Sequence, residues 1–503
     1  MLRQLLELEP DALDQALPPA WRAAPAAAVA RLCADVELLA MRTSAAAEAD
    51  PPLDAGVLAQ LFEQGLFSLT VPRAHGGLEA SLRDFVLAME SVGRMGPAYA
   101  MTAVPHLCIS VKAVASLCPA AKAAPILGAI RARRQLLAFA ITEDQGSDLA
   151  ALTTRLSDDP GRGWRLNGRK QWITNLQRAS HVVVAALYPG MQPGATALLL
   201  VGLEQEGVSR SRPWAKLCAN GSDTSDLYFD DVAIEPDQLL GAPGQGMALF
   251  NEMVLSGRLG AAAAAVGLAR QALQVARASP LLARDQAAIG ATLDALSATL
   301  SLSAALGDAG HPEFAQVTAL AKHACSRAAQ DCVDRIEHAY LCAGASVPPA
   351  VTRAARAMGL FRLLKGPGEI LGLHALSSWA ARMDRAPAQH WPRRMRLALA
   401  RLARGFADIN AAGGLSANPV RAMLLAELAG ACWCWFAAAT AQRNATTPTD
   451  GQAAAWAWRT FTVAARRMRK ARPVMIEQID DAYALLRHTD FARLSVTEGA
   501  WAC

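Results

Sequence analysis

The chain changes its hydrophobic rhythm twice. Up to about residue 135, apolar positions recur three and four apart, which predicts helices over Val29–Met41, Ala55–Gln64, Leu82–Val92 and Ala121–Arg134, with glycine and proline breaks between them. From about Gln135 to Gly244 the period shortens to two, and turn clusters separate runs such as Val182–Leu187, Ala195–Val201 and Leu227–Phe229. Helical spacing returns at about Met247 and persists to about Met383. A further helical stretch follows, interrupted at Thr446-Thr447-Pro448-Thr449-Asp450-Gly451. The pattern predicts an α+β chain of four parts: an N-terminal helical domain (1–135), a central β-barrel or sandwich domain (136–245), a helical bundle (246–385) and an appended helical domain (386–503).

Composition narrows the reading without directing it. The 503 residues are 53% hydrophobic, enough for a sizeable core. The net charge of +5 is too mild to argue for nucleic acid. The ten cysteines show neither metal-ligand spacing nor a disulfide framework; Cys432 and Cys434, as C-x-C, are the nearest pair. We therefore expect no metal, reduced thiols and a cytoplasmic location. The most apolar long run, Ala422–Ala441, carries Glu427 and is alanine-rich, so a buried bundle helix is expected rather than membrane contact. The basic runs Arg466-Arg467-Met468-Arg469-Lys470 and Arg393-Arg394-Met395-Arg396 read as solvated helix faces, or as docking sites for an acidic carrier or an anionic membrane surface.

The segment from Phe139 to Thr174 holds the candidate chemistry. The apolar run Leu136–Ile141 enters a polar loop, Thr142-Glu143-Asp144-Gln145-Gly146-Ser147-Asp148, and an alternating stretch then turns at Asn167-Gly168 and resumes as Gln171-Trp172-Ile173-Thr174. Such a hairpin presents hydroxyls, backbone N–H groups and an indole on one rim, the mix a flat redox ring system needs. Thr142-Glu143, Gly146-Ser147-Asp148 and Asn167-Gly168-Arg169-Lys170-Gln171-Trp172-Ile173-Thr174-Asn175 resemble the flavin-binding segment of the acyl-CoA dehydrogenase family, with a first loop one residue shorter. Leu66 to Leu78, Ser225 to Gly246 and Arg258 to Ala269 carry further likeness, so the resemblance covers roughly residues 30 to 385.

The resemblance implies an FAD-dependent oxidoreductase acting on an acyl thioester of coenzyme A or acyl-carrier protein, by α,β-dehydrogenation or a related α-carbanion reaction. It implies a homodimer, with an electron-transfer flavoprotein or oxygen as electron acceptor. Carried over residue by residue, Phe139, Ile141, Thr142, Ser147, Trp172, Ile173, Thr174 and Gly366 would hold the flavin, and Ser147 would also meet the thioester. A desolvated glutamate serves the family as base. Where the family has Y-E-G-T-S-E, this chain has Leu364-Lys365-Gly366-Pro367-Gly368-Glu369, with lysine at the catalytic position. The alternative position, beside the arginine matched by Arg258, is Gly257.

Both customary places for the base are thus empty. Glu369 is the best substitute, Glu252 lies further up the helix of Arg258, and Lys365 would hold an anion or pair with Glu369 four residues on. The family's R-x-x-F-G element is also missing at Arg277–Leu282, and Leu341-Cys342-Ala343-Gly344 replaces a glycine-richer loop. Pro367 stands for a flavin-contacting threonine. These departures leave two alternatives: a flavin oxidase or monooxygenase on the same fold, or a catalytically inactive FAD-binding subunit of a hetero-oligomer.

Overall fold

The computed structural model describes residues 24–44, 51–146, 151–189, 194–277, 279–283, 285–366 and 371, with scattered positions between 426 and 437. Ser147, Glu369, the basic runs and most of the appended domain (386–503) lie outside the described residues. The chain divides into two compact units, one holding 24–283 with 333–366, the other 284–332 with the C-terminal remainder and the first 23 residues.

In the first unit, α1 (Ala27–Ser44), α2 (Ala55–Glu63) and α3 (Leu82–Met95) open the fold. The side chain of Asp54 caps α2 by accepting from the Val57 N–H at 2.8 Å, and Ser81 caps α3 by accepting from Asp84 N–H at 3.1 Å. α4 (Pro97–Pro105) begins with proline at its first turn; Pro105 ends it in a π-helical turn, His106–Val111, before α5 (Lys112–Leu117) and α6 (Ala120–Ala132).

Eight strands follow: β1 (Leu136–Ala140), β2 (Arg155–Asp159), β3 (Gly163–Thr174), β4 (Ala179–Leu187), β5 (Thr196–Gly202), β6 (Val208–Arg210), β7 (Thr224–Ile234) and β8 (Leu239–Leu240). They form one sheet in the order β6-β7-β3-β2-β4-β5-β8, with β1 parallel to β4. Alternate residues such as Val182, Val184, Ala186, Leu199 and Val201 meet Leu166, Ile173 and Leu227 in its core.

The expected turn at Asn167-Gly168 is not there. β3 runs straight through it, and the hairpin closes earlier, over Pro160-Gly161-Arg162, where Asp159 pairs with Gly163. Gly168 instead marks an irregularity between Leu166 and Gly168 in the pairing with β7. Its φ is +145°, and a Cβ there would stand 2.6 Å from the Thr154 hydroxyl oxygen. The glycine serves a close approach rather than a reversal.

The long helix α7 (Gly246–Ala276) packs on α3 with almost nothing between the backbones. A Cβ on Gly267 would lie 1.8 Å from the Glu90 carbonyl oxygen, and one on Gly93 2.2 Å from that of Ala264. The last part of α9 (Phe314–Cys342), from Val333, and then α10 (Pro349–Leu363) complete this unit.

The second unit holds α8 (Gln286–Asp308), the first part of α9 and the residues described between 426 and 437. The buried Trp433 indole donates to Ser303 Oγ at 3.0 Å, and Arg327 pairs with Glu427 at 2.7 Å. Among the described residues, the segments Pro97–Leu117, Gly246–Ala276 and Gln286–Asp308 are long and apolar enough to cross a membrane by length and composition. Most of each is buried within the protein.

Candidate active site

The loop that follows β1 is tied down by one carboxylate. Glu143 accepts from the Thr153 N–H and hydroxyl, both at 2.6 Å, and from the Thr154 N–H at 3.0 Å. Lys170 reaches it from β3 at 2.7 Å and also donates to the Ile141 carbonyl at 3.3 Å. Burial alone would raise the Glu143 pKa, but the hydrogen bonds from Lys170, Thr153 and Thr154 outweigh it and hold the group at about 2. A buried ion pair thus ties Glu143, after β1, to Thr153, Thr154 and β3.

Beyond Lys170 the chain bulges. The register with β7 slips between Lys170 and Ile173, and Trp172 adopts φ +57°, a left-handed conformation rare for an aromatic residue. The bulge turns the indole outward, where it is 49% exposed and lies 5.5 Å from the half-exposed ring of Trp214. Strain of this kind persists where surrounding structure holds it, and it clusters at ligand-binding positions. Trp214 is itself anchored by its indole N–H donating to Asp226 at 3.0 Å, and Asp226 also pairs with Arg169 at 2.8 Å. The Gln171 N–H donates to the Thr142 carbonyl at 2.8 Å, which seats the loop against β3.

On this rim the half-buried hydroxyls of Thr142 and Thr174 make no side-chain hydrogen bond to any described residue, nor does the Trp172 indole N–H. Two free hydroxyls and a free indole beside an aromatic face match the donor set and stacking surface of an isoalloxazine ring. The residues present therefore fit FAD on the β-domain side. Ile173 departs from the expectation: it is 2% exposed and belongs to the sheet core, so its side chain cannot line a ligand. Strand parity explains this, since Trp172 and Ile173 point to opposite faces. Phe139 is buried and stacks on Phe250 of α7 at 5.3 Å with a 5° interplanar angle, and Ile141 is buried as well.

The second set of predicted residues gathers where α7 meets the end of α10. Lys365 lies past the last helical turn, with φ +61°, followed by Gly366 at φ +104°. Lys365 lies beyond the helix, which ends at Leu363, and its expected partner Glu369 lies outside the described residues. The Lys365 stem instead lies over Gly257: a Cβ on that glycine would be 3.4 Å from Cδ and Cε of Lys365 and 2.9 Å from Sγ of Cys108. A glutamate at 257 would collide with both. Burial lowers the Lys365 pKa, with Cys108 opposing, and burial lifts the Cys108 thiol to about 11. Arg258, the next residue along α7, is lowered to about 10 by burial, and its Nε is buried without a partner.

Cys108 was not among the residues singled out from sequence. It lies on the π-helical turn, whose proximity to α7 no local pattern announces. The Glu143–Lys170 pair was visible only as two separate motif letters. Glu252, weighed as a substitute base, is exposed on α7. At the loop after α9, Leu341, Cys342 and Ala343 are exposed and Gly344 takes φ +64°.

Comparison with known proteins agrees with this architecture. Residues 26–128 match the acyl-CoA dehydrogenase N-terminal domain and residues 138–232 the acyl-CoA dehydrogenase middle domain. Over these residues the chain is similar to the two domains that the acyl-CoA dehydrogenase family shares. It is 28% identical over 336 residues to the mouse mitochondrial very long-chain specific acyl-CoA dehydrogenase, covering 62% of this chain and 51% of that protein. It is 30% identical over 220 residues to the human short-chain specific enzyme, covering 41% and 50%. The chain thus spans about half the length of the curated relatives it matches. Among solved structures, an acyl-CoA dehydrogenase from Bacillus anthracis complexed with FAD superposes with a TM-score of 0.74 at 19% identity, covering 95% of this chain and 93% of that one. Butyryl-CoA dehydrogenase from Megasphaera elsdenii gives 0.63 at 22%, covering 70% and 98%. At these identities the likeness is one of fold.

Proposed function

We propose that the chain is a flavoprotein that binds FAD against the Thr142–Trp172–Thr174 rim and acts on an acyl thioester. The observation that carries this reading is the rim itself: unpartnered hydroxyls and a strained, outward-turned indole, on a domain matched by the family. Bound there, FAD would supply the two-electron acceptor that removal of hydrogen from an acyl chain requires. The protein's own part is then to bind and orient. Trp172 would supply a stacking surface, Thr142 and Thr174 would donate or accept hydrogen bonds, and the Glu143–Lys170 pair ties Glu143 to β3. Lys365, placed by the motif where the family's base stands, favours an enolate electrostatically but is poorly suited to take the α-proton.

The absence of a carboxylate at both Gly257 and Lys365 supports a second reading, a thioester-binding subunit that does not itself abstract the proton. The remaining parts of the proposal are a homodimer, a cytoplasmic location, and an electron-transfer flavoprotein or oxygen as acceptor. The test is direct. Protein purified with FAD is denatured, the released flavin is quantified, and the intact holoprotein is mixed anaerobically with acyl-CoA thioesters. About one flavin per chain and bleaching by a thioester support the first reading; flavin without bleaching supports the second. Failure to retain added FAD overturns both.

A further inference from the structure

Charge does not balance where α7, the π-helical turn and the end of α10 meet. Lys365 is seated there over Gly257, and Arg258 follows on the same helix. Among the described residues, no aspartate or glutamate makes a hydrogen bond or ion pair with either cation. Among the described residues, the titratable group that bears on Lys365 is the Cys108 thiol, which burial keeps neutral and which therefore offers no counter-charge. The guanidinium Nε of Arg258 is removed from water and makes no bond. Both residues are half-buried, and a cation partly withdrawn from water is ordinarily paired, because desolvation penalises an unanswered charge.

The arrangement is also held at some expense. Lys365 occupies the left-handed backbone region, where a branched or long side chain sits only when its surroundings require it. Gly257 leaves open the volume that the lysine stem uses. The junction therefore holds two cationic residues without an acidic partner among the described residues, so a balancing anion can come from a ligand. A saturated, uncharged acyl chain would leave them unanswered. The phosphates of coenzyme A sit at the far end of a long pantetheine arm, away from the acyl group.

We propose that this junction is a carboxylate site, formed by Lys365 with Arg258, and that the thioester taken by the chain carries a second, free carboxylate on its acyl group. The inference rests on the thioester reading above. It assigns Lys365 to substrate selection, with the planar fork of Arg258 suited to the same carboxylate.

The experiment compares the FAD-loaded full chain with two thioesters matched in length, glutaryl-CoA and pentanoyl-CoA, by calorimetry. A charge-assisted hydrogen bond to a desolvated group predicts that glutaryl-CoA binds at least about tenfold tighter. Lys365→Met should bring the two to equal affinity, and Lys365→Arg, which keeps the cation, should keep the preference. Equal affinities in the unaltered protein overturn the inference, as does a preference that survives Lys365→Met. Circular dichroism on each variant checks that the fold is retained, and a misfolded Lys365→Met is replaced by Lys365→Gln. Should neither thioester bind, the function proposed above fails and takes this inference with it; should both bind alike, only the inference fails.

Discussion

Lys170 Nζ stands 2.7 Å from Glu143 Oε1, with both side chains essentially withdrawn from solvent. β3 and the loop after β1 are thereby joined by a charge pair that also engages Thr153, Thr154 and the Ile141 carbonyl. Removing either partner leaves the other charge buried alone. Lys170→Met or Glu143→Gln should lower stability by roughly 3–5 kcal/mol, measured by denaturant unfolding. The folded pKa of Glu143, about 2, lies below its unfolded value, so its contribution is present above about pH 4.5. It is lost as pH falls toward 2, and the difference between the unaltered protein and Glu143→Gln should shrink over that window.

His106 gives a second pH dependence, starting higher. It is fully buried, with Nε2 2.8 Å from the Phe67 carbonyl and Nδ1 accepting from Leu137 N–H at 3.0 Å, so the neutral Nε2–H form satisfies both contacts. Burial lowers its pKa to about 4, against the hydrogen bonds to Phe67 and Leu137. The unfolded chain therefore takes the proton first. Stability from this group is complete above about pH 6.5 and falls by up to about 1.4 kcal/mol per unit between there and pH 4. His106→Asn should remove that slope from the unfolding curve, whatever its effect on absolute stability.

Trp172 separates flavin retention from folding. Half its surface is exposed, so Trp172→Ala should change the thermal stability of the flavin-free protein by no more than about 0.5 kcal/mol. Loss of an aromatic stack should raise the Kd for FAD about tenfold, while Trp172→Phe retains most of the affinity. Fluorescence titration of the flavin-free protein measures both. Equal affinities across the three proteins would remove Trp172 from the flavin site.

Gly267 and Gly290 should respond in opposite directions to the same change. Alanine at 267 would drive its methyl into the Glu90 carbonyl, and destabilisation of about 3 kcal/mol is expected. Alanine at 290, in α8, meets nothing within 4 Å and should stabilise by about 0.5–1 kcal/mol. Thermal unfolding of the two variants checks both signs.

Lys365→Glu should increase, not abolish, bleaching of the flavin by uncharged acyl thioesters. It restores a carboxylate where the family's base stands, an effect worth about 10²–10⁴-fold when the geometry is right. Anaerobic stopped-flow with short, medium and long acyl-CoA thioesters measures the rate. Faster bleaching by the unaltered protein would make Lys365 the base.

The sequence of elements was legible because each has a strong local signature: helical spacing in α3 and α7, short continuous apolar runs bounded by turn residues in β4 and β5, and a capping serine before α3. The misread turn shows the limit of such signatures. Asn167-Gly168 has the composition of a tight reversal, yet the neighbouring Thr154, brought in by another strand, decides its conformation. The candidate site divides in the same way. Trp172 and Thr174 could be picked from a motif, but the buried face of Ile173 follows from the pairing register, and the packing of Cys108, Gly257 and Lys365 arises from segments about 100 to 150 residues apart. No window of local sequence contains that meeting.

The backbone contact between α3 and α7 bears on how this chain can be divided experimentally. Sequence rhythm suggests that a helical module could be cut away from the β-rich one at residue 135 or 245. Glu90 and Gly267 say otherwise, because each helix supplies a complementary surface to the other at that point. A fragment ending before Gly246 would expose the flank of α3 around Gly93, together with Phe85, which Gly260 of α7 otherwise covers. Such a fragment would be expected to aggregate, so expression trials and crystallisation should keep residues 24 to 283 together.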